Sequence, residues 1–74
     1  MLDAVVVGRV IQKIREEKKK SQELVSGFAG IGRTHLSAIE RGERKPTLET
    51  LFKIADALDI KPSVIIAAIE EALK

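Results

Sequence analysis

The side chains best suited to recognition chemistry lie on one face of a short helical segment between Arg33 and Arg41. On a helical wheel this outward face carries Thr34, Ser37, Ala38 and Arg41, with Arg33 at its edge. The face is small, polar and basic, so its donors fit the base edges and phosphates of a DNA major groove. The chain offers no set of nucleophile, base and orienting group, so the chemistry indicated is hydrogen bonding and not catalysis.

The segment from Gln22 to Arg41 must position these side chains, and its pattern is that of two short helices that meet at Gly30. A glycine can take a positive φ at no steric cost, so we expect it to end the first helix and start the turn. Apolar or small residues on both sides of the turn would pack the two helices into one rigid corner. They are Val25, Ala29, Ile31, Leu36 and Ile39. Two helices joined by a glycine-containing turn form the DNA-binding helix-turn-helix pattern.

The composition is that of one small domain, which we place at residues 1–74. A domain of this size is marginally stable alone, so a partner subunit is an expected source of extra stability. The chain has no cysteine, which excludes disulfides, thiolate metal sites and a thiol nucleophile. We expect no metal, no cofactor, no small-molecule ligand and no membrane contact, and a reducing, cytoplasmic location suits the composition.

The charge is distributed unevenly along the chain. Residues 1–48 carry ten Lys and Arg against six Asp and Glu, whereas residues 49–74 carry three against five. The basic part contains the helix-turn-helix pattern, which is the arrangement that a phosphate backbone would favour.

The first two helices are predicted from apolar spacing and capping residues. Aliphatic residues recur at helical spacing from Val7 to Ile14, which predicts a helix from about Asp3 to Lys18. Ser21 is a good N-cap for a second helix that ends near Gly30.

Three further helices complete an all-α, five-helix prediction. The third begins at Gly32 and ends by Gly42, which has the position of a C′ glycine. Thr47 caps the fourth helix, whose apolar positions begin at Leu48, and Pro62 opens a fifth helix over residues 62–73.

Several of these residues together resemble the phage-repressor and Cro type of helix-turn-helix domain. The matching positions are Ser21-Gln22, Ala29-Gly30-Ile31, Arg33-Thr34, Leu36-Ser37, Ile39-Glu40-Arg41-Gly42, Pro46-Thr47-Leu48 and Ile54-Ala55 through Leu58. The resemblance implies a compact five-helix, lambda-repressor-like domain that binds double-stranded operator DNA as a homodimer. Short members of this kind include Cro-like repressors and the controller proteins of restriction–modification systems.

Two positions depart from the family pattern near helix ends. Lys19 and Asp59 stand where glycine is usual. Because aspartate tolerates the left-handed conformation less well than glycine, the end of the fourth helix is expected to fray.

The resemblance assigns base contacts to the outward face of the third helix. Arg33 would bond O6 and N7 of a guanine, although a phosphate contact is the competing interpretation. Thr34 and Ser37 would contact bases through a methyl or hydroxyl group, and Thr34 could instead cap the helix. Ala38 either allows close approach of the groove or is a plain surface alanine, and Arg44 would reach a groove edge.

Other residues are expected at the DNA backbone. Gln22 at the start of the second helix would clamp a phosphate or orient Arg33. The remaining candidates for phosphate contacts are Ser21, His35, Arg41 and Lys45. Lys45 could also be a solubilising loop residue.

The resemblance also predicts a structural ion pair and a subunit interface. Arg15 and Glu40 would pair between the first helix and the end of the third. The fifth helix is apolar almost all round, and its surplus face indicates a homodimer contact. The interface candidates are Ile65, Ile66, Ile69, Leu73 and Phe52.

Two other function classes stay open at this point. The domain could be a protein-binding module, such as the antitoxin of a toxin–antitoxin pair, although no extra toxin-wrapping segment is left over. An enzyme is disfavoured because no catalytic or metal-ligating constellation is present in the sequence.

Overall fold

The structure, a computed structural model that describes residues 2–74, contains five α-helices and, over that range, no strand. The helices are α1 (Ala4–Glu17), α2 (Gln22–Ala29), α3 (Arg33–Glu40), α4 (Leu48–Ala57) and α5 (Pro62–Ala72). The all-α, five-helix prediction is therefore confirmed. The predicted domain begins at Met1, which lies outside the described residues.

Short polar side chains begin three of the helices by satisfying free N–H groups. The Asp3 carboxylate accepts from the N–H of Val5 at 2.9 Å. The Ser21 hydroxyl accepts from the N–H of Leu24 at 3.0 Å, and the Thr47 hydroxyl accepts from that of Thr50 at 3.1 Å.

Four of the helices end in the same left-handed turn, but only two of them use glycine for it. The left-handed residue follows the helix by one or two positions, and its φ is 69° at Gly30, 79° at Gly42, 57° at Lys19 and 59° at Asp59. In each case the next N–H reaches back to the last helical turn, as Ile60 does to the Ala55 carbonyl at 3.0 Å. The end of α4 is therefore closed by hydrogen bonds, and the expectation that it frays is wrong.

The core is aliphatic and draws on all five helices. The fully buried side chains include Ile11 of α1, Val25 of α2, Leu36 of α3, Ile54 of α4 and Ile65 of α5. Both phenylalanines lie outside the core, since Phe28 is 76% exposed and Phe52 is 53% exposed. Helix α2 packs on α4, while α1 packs on both α3 and α5.

Helix α1 crosses behind α3 at the distance that only a glycine permits. A Cβ added to Gly8 would lie 2.7 Å from the Glu40 carbonyl oxygen and would also collide with that of Ile39. A Cβ added to Gly42 would lie 2.8 Å from the Cα of Val5. The back of α3 is thus in backbone contact with α1, which fixes the opposite face of α3 in space.

None of the helices in residues 2–74 is long and apolar enough to cross a membrane.

Candidate nucleic-acid interface

Helices α2 and α3 meet at the turn around Gly30 and open a shallow concave surface on the outside of the molecule. Five side chains line this concave surface: Gln22, Arg33, Thr34, Ser37 and Arg41. Arg33 and Thr34 are exposed and Ser37 is half-buried. The structure therefore brings together, from two helices, five of the residues that the sequence assigned to DNA contacts.

Ala38 does not belong to this surface, and the prediction that it faces outward is wrong. Only 8% of the residue is exposed. The chain turns back directly after α3, where the N–H of Glu43 donates to the Ala38 carbonyl at 2.9 Å. Helical-wheel spacing takes account of no residues outside the helix, so it cannot predict such burial.

A buried ion pair holds the far end of α3 against α1. Arg15 donates from Nε to Oε2 of Glu40 at 2.7 Å and from Nη2 to Oε1 at 3.0 Å. Side-chain exposure is 11% for Arg15 and 2% for Glu40. The hydrogen bond with Glu40 raises the pKa of Arg15 above its ordinary value, so the guanidinium stays charged. Paired and well hydrogen-bonded, the two charges tolerate burial that neither would tolerate alone.

The same carboxylate also fixes Gln22. The Gln22 amide donates to Oε1 of Glu40 at 3.0 Å, and Arg15 also donates to the Lys20 carbonyl at 2.8 Å. The start of α2 and the end of α3 are thus bonded to one carboxylate. This leaves the Gln22 carbonyl oxygen and the second amide hydrogen for other partners.

A second, exposed ion pair lies where α3 ends. Arg41 donates from Nε to Oε2 of Glu43 at 2.8 Å and from Nη2 to Oε1 at 3.1 Å, and its Nη1 donates to the Ser37 hydroxyl. The hydrogen bond lowers the pKa of Glu43 and raises that of Arg41. The sequence reading did not single out Glu43. Its spacing two residues after Arg41 was the available signal.

The remaining predicted DNA contacts do not line the concave surface, and Lys45 lines a groove with Leu48 instead. Arg44 and Lys45 are exposed in the loop between α3 and α4, and neither forms a salt bridge within residues 2–74. Ser21 is exposed and caps α2 with its hydroxyl oxygen, which leaves its hydroxyl proton available. His35 is half-buried on α3.

The predicted dimer residues separate into two groups. Ile65 is fully buried and Ile69 is 7% exposed, and both belong to the core of the single chain. Their assignment to a subunit interface is therefore wrong, because these side chains face α1 and α4 inside the monomer. Ile66, Leu73 and Phe52 are exposed, at 45%, 41% and 53%.

An exposed apolar patch continues from these residues onto α4 and the N-terminal segment. Leu48 is 66% exposed, and it lines one groove together with Leu2 and Ile66. Phe52 follows Leu48 by four residues and so shares its face of α4. We call Leu2, Leu48, Phe52 and Ile66 the apolar patch. Leu2 and Leu48 were not predicted at a surface; the i, i+4 pair of Leu48 and Phe52 was the signal that could have shown it.

No group of three or more His, Cys, Asp or Glu side chains within residues 2–74 is arranged to hold a metal ion. The hydrogen-bonding groups of the concave surface are arginine, amide and hydroxyl groups. Such a set can bind anions and base edges.

Comparison with known proteins agrees with this geometry. A helix-turn-helix family model matches residues 11–65. A transcriptional regulator of the helix-turn-helix type from Sinorhizobium fredii is 35% identical over 66 residues, which are 89% of this chain and 86% of that protein. The immunity repressor protein of Bacillus phage phi105 is 39% identical over 69 residues, which are 93% of this chain but 46% of the repressor.

A solved structure matches in the same way over nearly its whole length. The restriction-modification controller protein C.AhdI from Aeromonas hydrophila superimposes with a TM-score of 0.82 at 34% identity, covering 88% of this chain and 98% of that one. The resemblance drawn from the sequence is thereby confirmed. The chain belongs to the helix-turn-helix family of transcriptional regulators.

Proposed function

We propose that this protein binds an operator of defined sequence as a homodimer, with one copy of α3 in the major groove of each half-site. The observation that carries the proposal is the placement of Arg33 and Thr34. They stand exposed at the first turn of α3, while the buried Arg15–Glu40 pair holds its last turn. A side chain can discriminate between bases only when its backbone is held rigidly, and α3 meets that condition.

Each polar group of the concave surface has a role in this proposal. Arg33 bonds O6 and N7 of one guanine, and Thr34 and Ser37 contact neighbouring bases. Gln22 and Ser21 at the start of α2 bind a phosphate, with Lys45 and His35 along the same backbone and Arg44 at the groove edge. Arg41 reaches this backbone only when it exchanges its Glu43 partner for a phosphate. No bond is made or broken, so regulation follows from occupancy of DNA near a promoter.

The apolar patch is the proposed homodimer contact. It contains three large side chains that are about half exposed or more, namely Leu2, Leu48 and Phe52, with Ile66 beside them. A patch of this kind on a domain of 74 residues is typical of a protein-binding surface. Two-fold symmetry would place the two α3 helices about 34–36 Å apart, one turn of DNA, on a pseudo-palindromic site.

Selection of bound duplexes from a random pool, followed by sequencing, tests this function. Wild-type protein should enrich a pseudo-palindrome with a guanine at a fixed place in each half-site. Arg33→Ala should lose that preference, at a cost of about 1–3 kcal/mol for the enriched site, and leave the other positions unchanged. Arg9→Ala is the matched control, since Arg9 is exposed on α1 beside α5. If Arg33→Ala and wild type select the same consensus, the assignment of Arg33 fails. If wild type enriches nothing, the function fails.

A further inference from the structure

Arg41 differs in its surroundings from the other cations that we propose to contact DNA. Its guanidinium makes two parallel hydrogen bonds with the Glu43 carboxylate, at 2.8 and 3.1 Å, and a third with the Ser37 hydroxyl. Within residues 2–74, Arg33, Arg44 and Lys45 form no such ion pair. Arg41 nevertheless lines the same surface as Arg33.

The bidentate ion pair with Glu43 reduces the ability of Arg41 to bind a DNA phosphate. A free arginine on this surface would bind any phosphate and so strengthen binding to every sequence. An arginine already held by a carboxylate must exchange that partner for the phosphate, and the carboxylate itself repels the phosphate backbone. Glu43 therefore weakens the part of binding that carries no sequence information.

The pair also fixes the position of Arg41 over Ser37. Arginine can only donate hydrogen bonds, so the Ser37 oxygen accepts from it and the Ser37 hydroxyl proton remains free for a base edge. Two of the five N–H groups of Arg41 also remain free. Both side chains are thus ordered before DNA arrives, and the ordering cost of the specific complex is reduced.

We propose that Glu43 is a specificity-determining residue, which holds Arg41 against Ser37 and withdraws it from sequence-independent phosphate binding. Removal of the Glu43 charge should therefore make the protein bind DNA more tightly but less selectively. This inference rests on the proposed function, because it requires that the concave surface faces DNA.

The test compares wild type with Glu43→Gln on two probes, namely a duplex pool of random sequence and the duplex that wild type enriches by selection. Dissociation constants are measured over a series of KCl concentrations. Glu43→Gln should bind the random pool about three- to tenfold more tightly, with a salt dependence steeper by about 0.9 per subunit. Affinity for the selected duplex should change less, so the ratio of the two affinities falls.

Two further variants separate this explanation from a general charge effect. Glu70→Gln removes the charge of an exposed glutamate on α5 and should leave the ratio and the salt dependence unchanged. In an Arg41→Ala background, Glu43→Gln should lose most of this steepening of the salt dependence, because only the repulsion by the carboxylate is removed and no arginine is freed for a phosphate. Urea unfolding midpoints close to that of wild type would show that all variants fold, as expected for exposed residues.

Three results would overturn the inference. Glu43→Gln could match Glu70→Gln on the random pool, it could tighten both probes by the same factor, or the steeper salt dependence could persist undiminished without Arg41. A wild-type protein that enriches no duplex would instead refute the proposed function, and the random-pool measurements would still report on Glu43.

Discussion

Glu40 is the residue on which the geometry of the concave surface depends. Its carboxylate accepts two hydrogen bonds from Arg15 and one from Gln22, at distances between 2.7 and 3.0 Å, and is 2% exposed. One side chain thus joins α1, the start of α2 and the end of α3. None of these groups needs to touch DNA for the surface to depend on them.

Replacement of Arg15 should show how much free energy it costs to bury the Glu40 carboxylate without its ion-pair partner. Arg15→Met is expected to lower the free energy of unfolding by about 3–5 kcal/mol, because the buried Glu40 carboxylate loses its ion-pair partner. Replacing both residues, as Arg15→Met with Glu40→Leu, should recover most of the loss, since no buried charge remains. Urea unfolding followed by circular dichroism measures both. A double variant as unstable as the single one would show that the effect is packing and not charge.

At the scale of the helices, the turns after α1 and α4 place a residue with a Cβ in a left-handed conformation, which costs free energy. The glycine turns after α2 and α3 avoid this cost. Lys19 and Asp59 adopt φ of 57° and 59°, a conformation that side chains with a Cβ rarely take. Their turns are nevertheless closed by the same hydrogen bonds as those at Gly30 and Gly42. The fold therefore imposes the conformation on these two residues.

Substitution at two of these turns should move stability in opposite directions. Asp59→Gly is expected to raise the free energy of unfolding by about 1 kcal/mol, because it removes the left-handed strain. That gain corresponds to a melting temperature higher by about 4–8 °C. Gly30→Ala should lower stability by about 1–2 kcal/mol through the backbone alone, since its Cβ would meet nothing within 4 Å. Thermal unfolding checks both, and shifts of the same sign would refute the explanation.

The helix boundaries could be predicted from the sequence because they depend on residues only a few positions apart. Asp3, Ser21 and Thr47 are N-caps because their partners lie two or three residues away. Likewise, a glycine at 30 and another at 42 specify where α2 and α3 end.

What sequence reasoning missed depends on distant neighbours. Helical periodicity predicts the face on which Ala38 and Ile65 lie, but it cannot show that distant parts of the chain bury them. The sequence also gives no reason for a glycine at position 8 inside α1, and the structure shows that the reason is a backbone crossing with residues 39 and 40. The ion pair of Glu43 with Arg41 likewise depends on how the chain turns after α3.

At the scale of the whole molecule, the two phenylalanines provide a matched pair of variants for testing where the proposed subunit contact lies. Phe52 lies in the apolar patch, whereas Phe28 is the more exposed of the two, at 76% against 53%, and lies on α2. Exposure alone would therefore favour Phe28 as the contact, while continuity with other apolar side chains favours Phe52.

If the proposed homodimer forms through the apolar patch, Phe52→Ser should convert it to monomer, and Phe28→Ser should not. An aromatic anchor of an interface contributes about 2 kcal/mol or more, so the dimer dissociation constant should rise about 30-fold or more. Sedimentation equilibrium over a range of concentrations measures it. The reverse outcome, a monomer from Phe28→Ser alone, would transfer the contact to α2.

The backbone crossing at Gly8 lies on the opposite face of α3 from the side chains that we propose to contact DNA. Everything that fixes this helix, from the Gly8 contact to the Glu40 carboxylate, approaches it from behind, while Arg33 and Thr34 project from the front. On the proposed function, new side chains at positions 33 and 34 would therefore change the DNA sequence recognised without redesign of the scaffold. A lineage, or a laboratory, would then retarget such a regulator to a different promoter at little risk to folding.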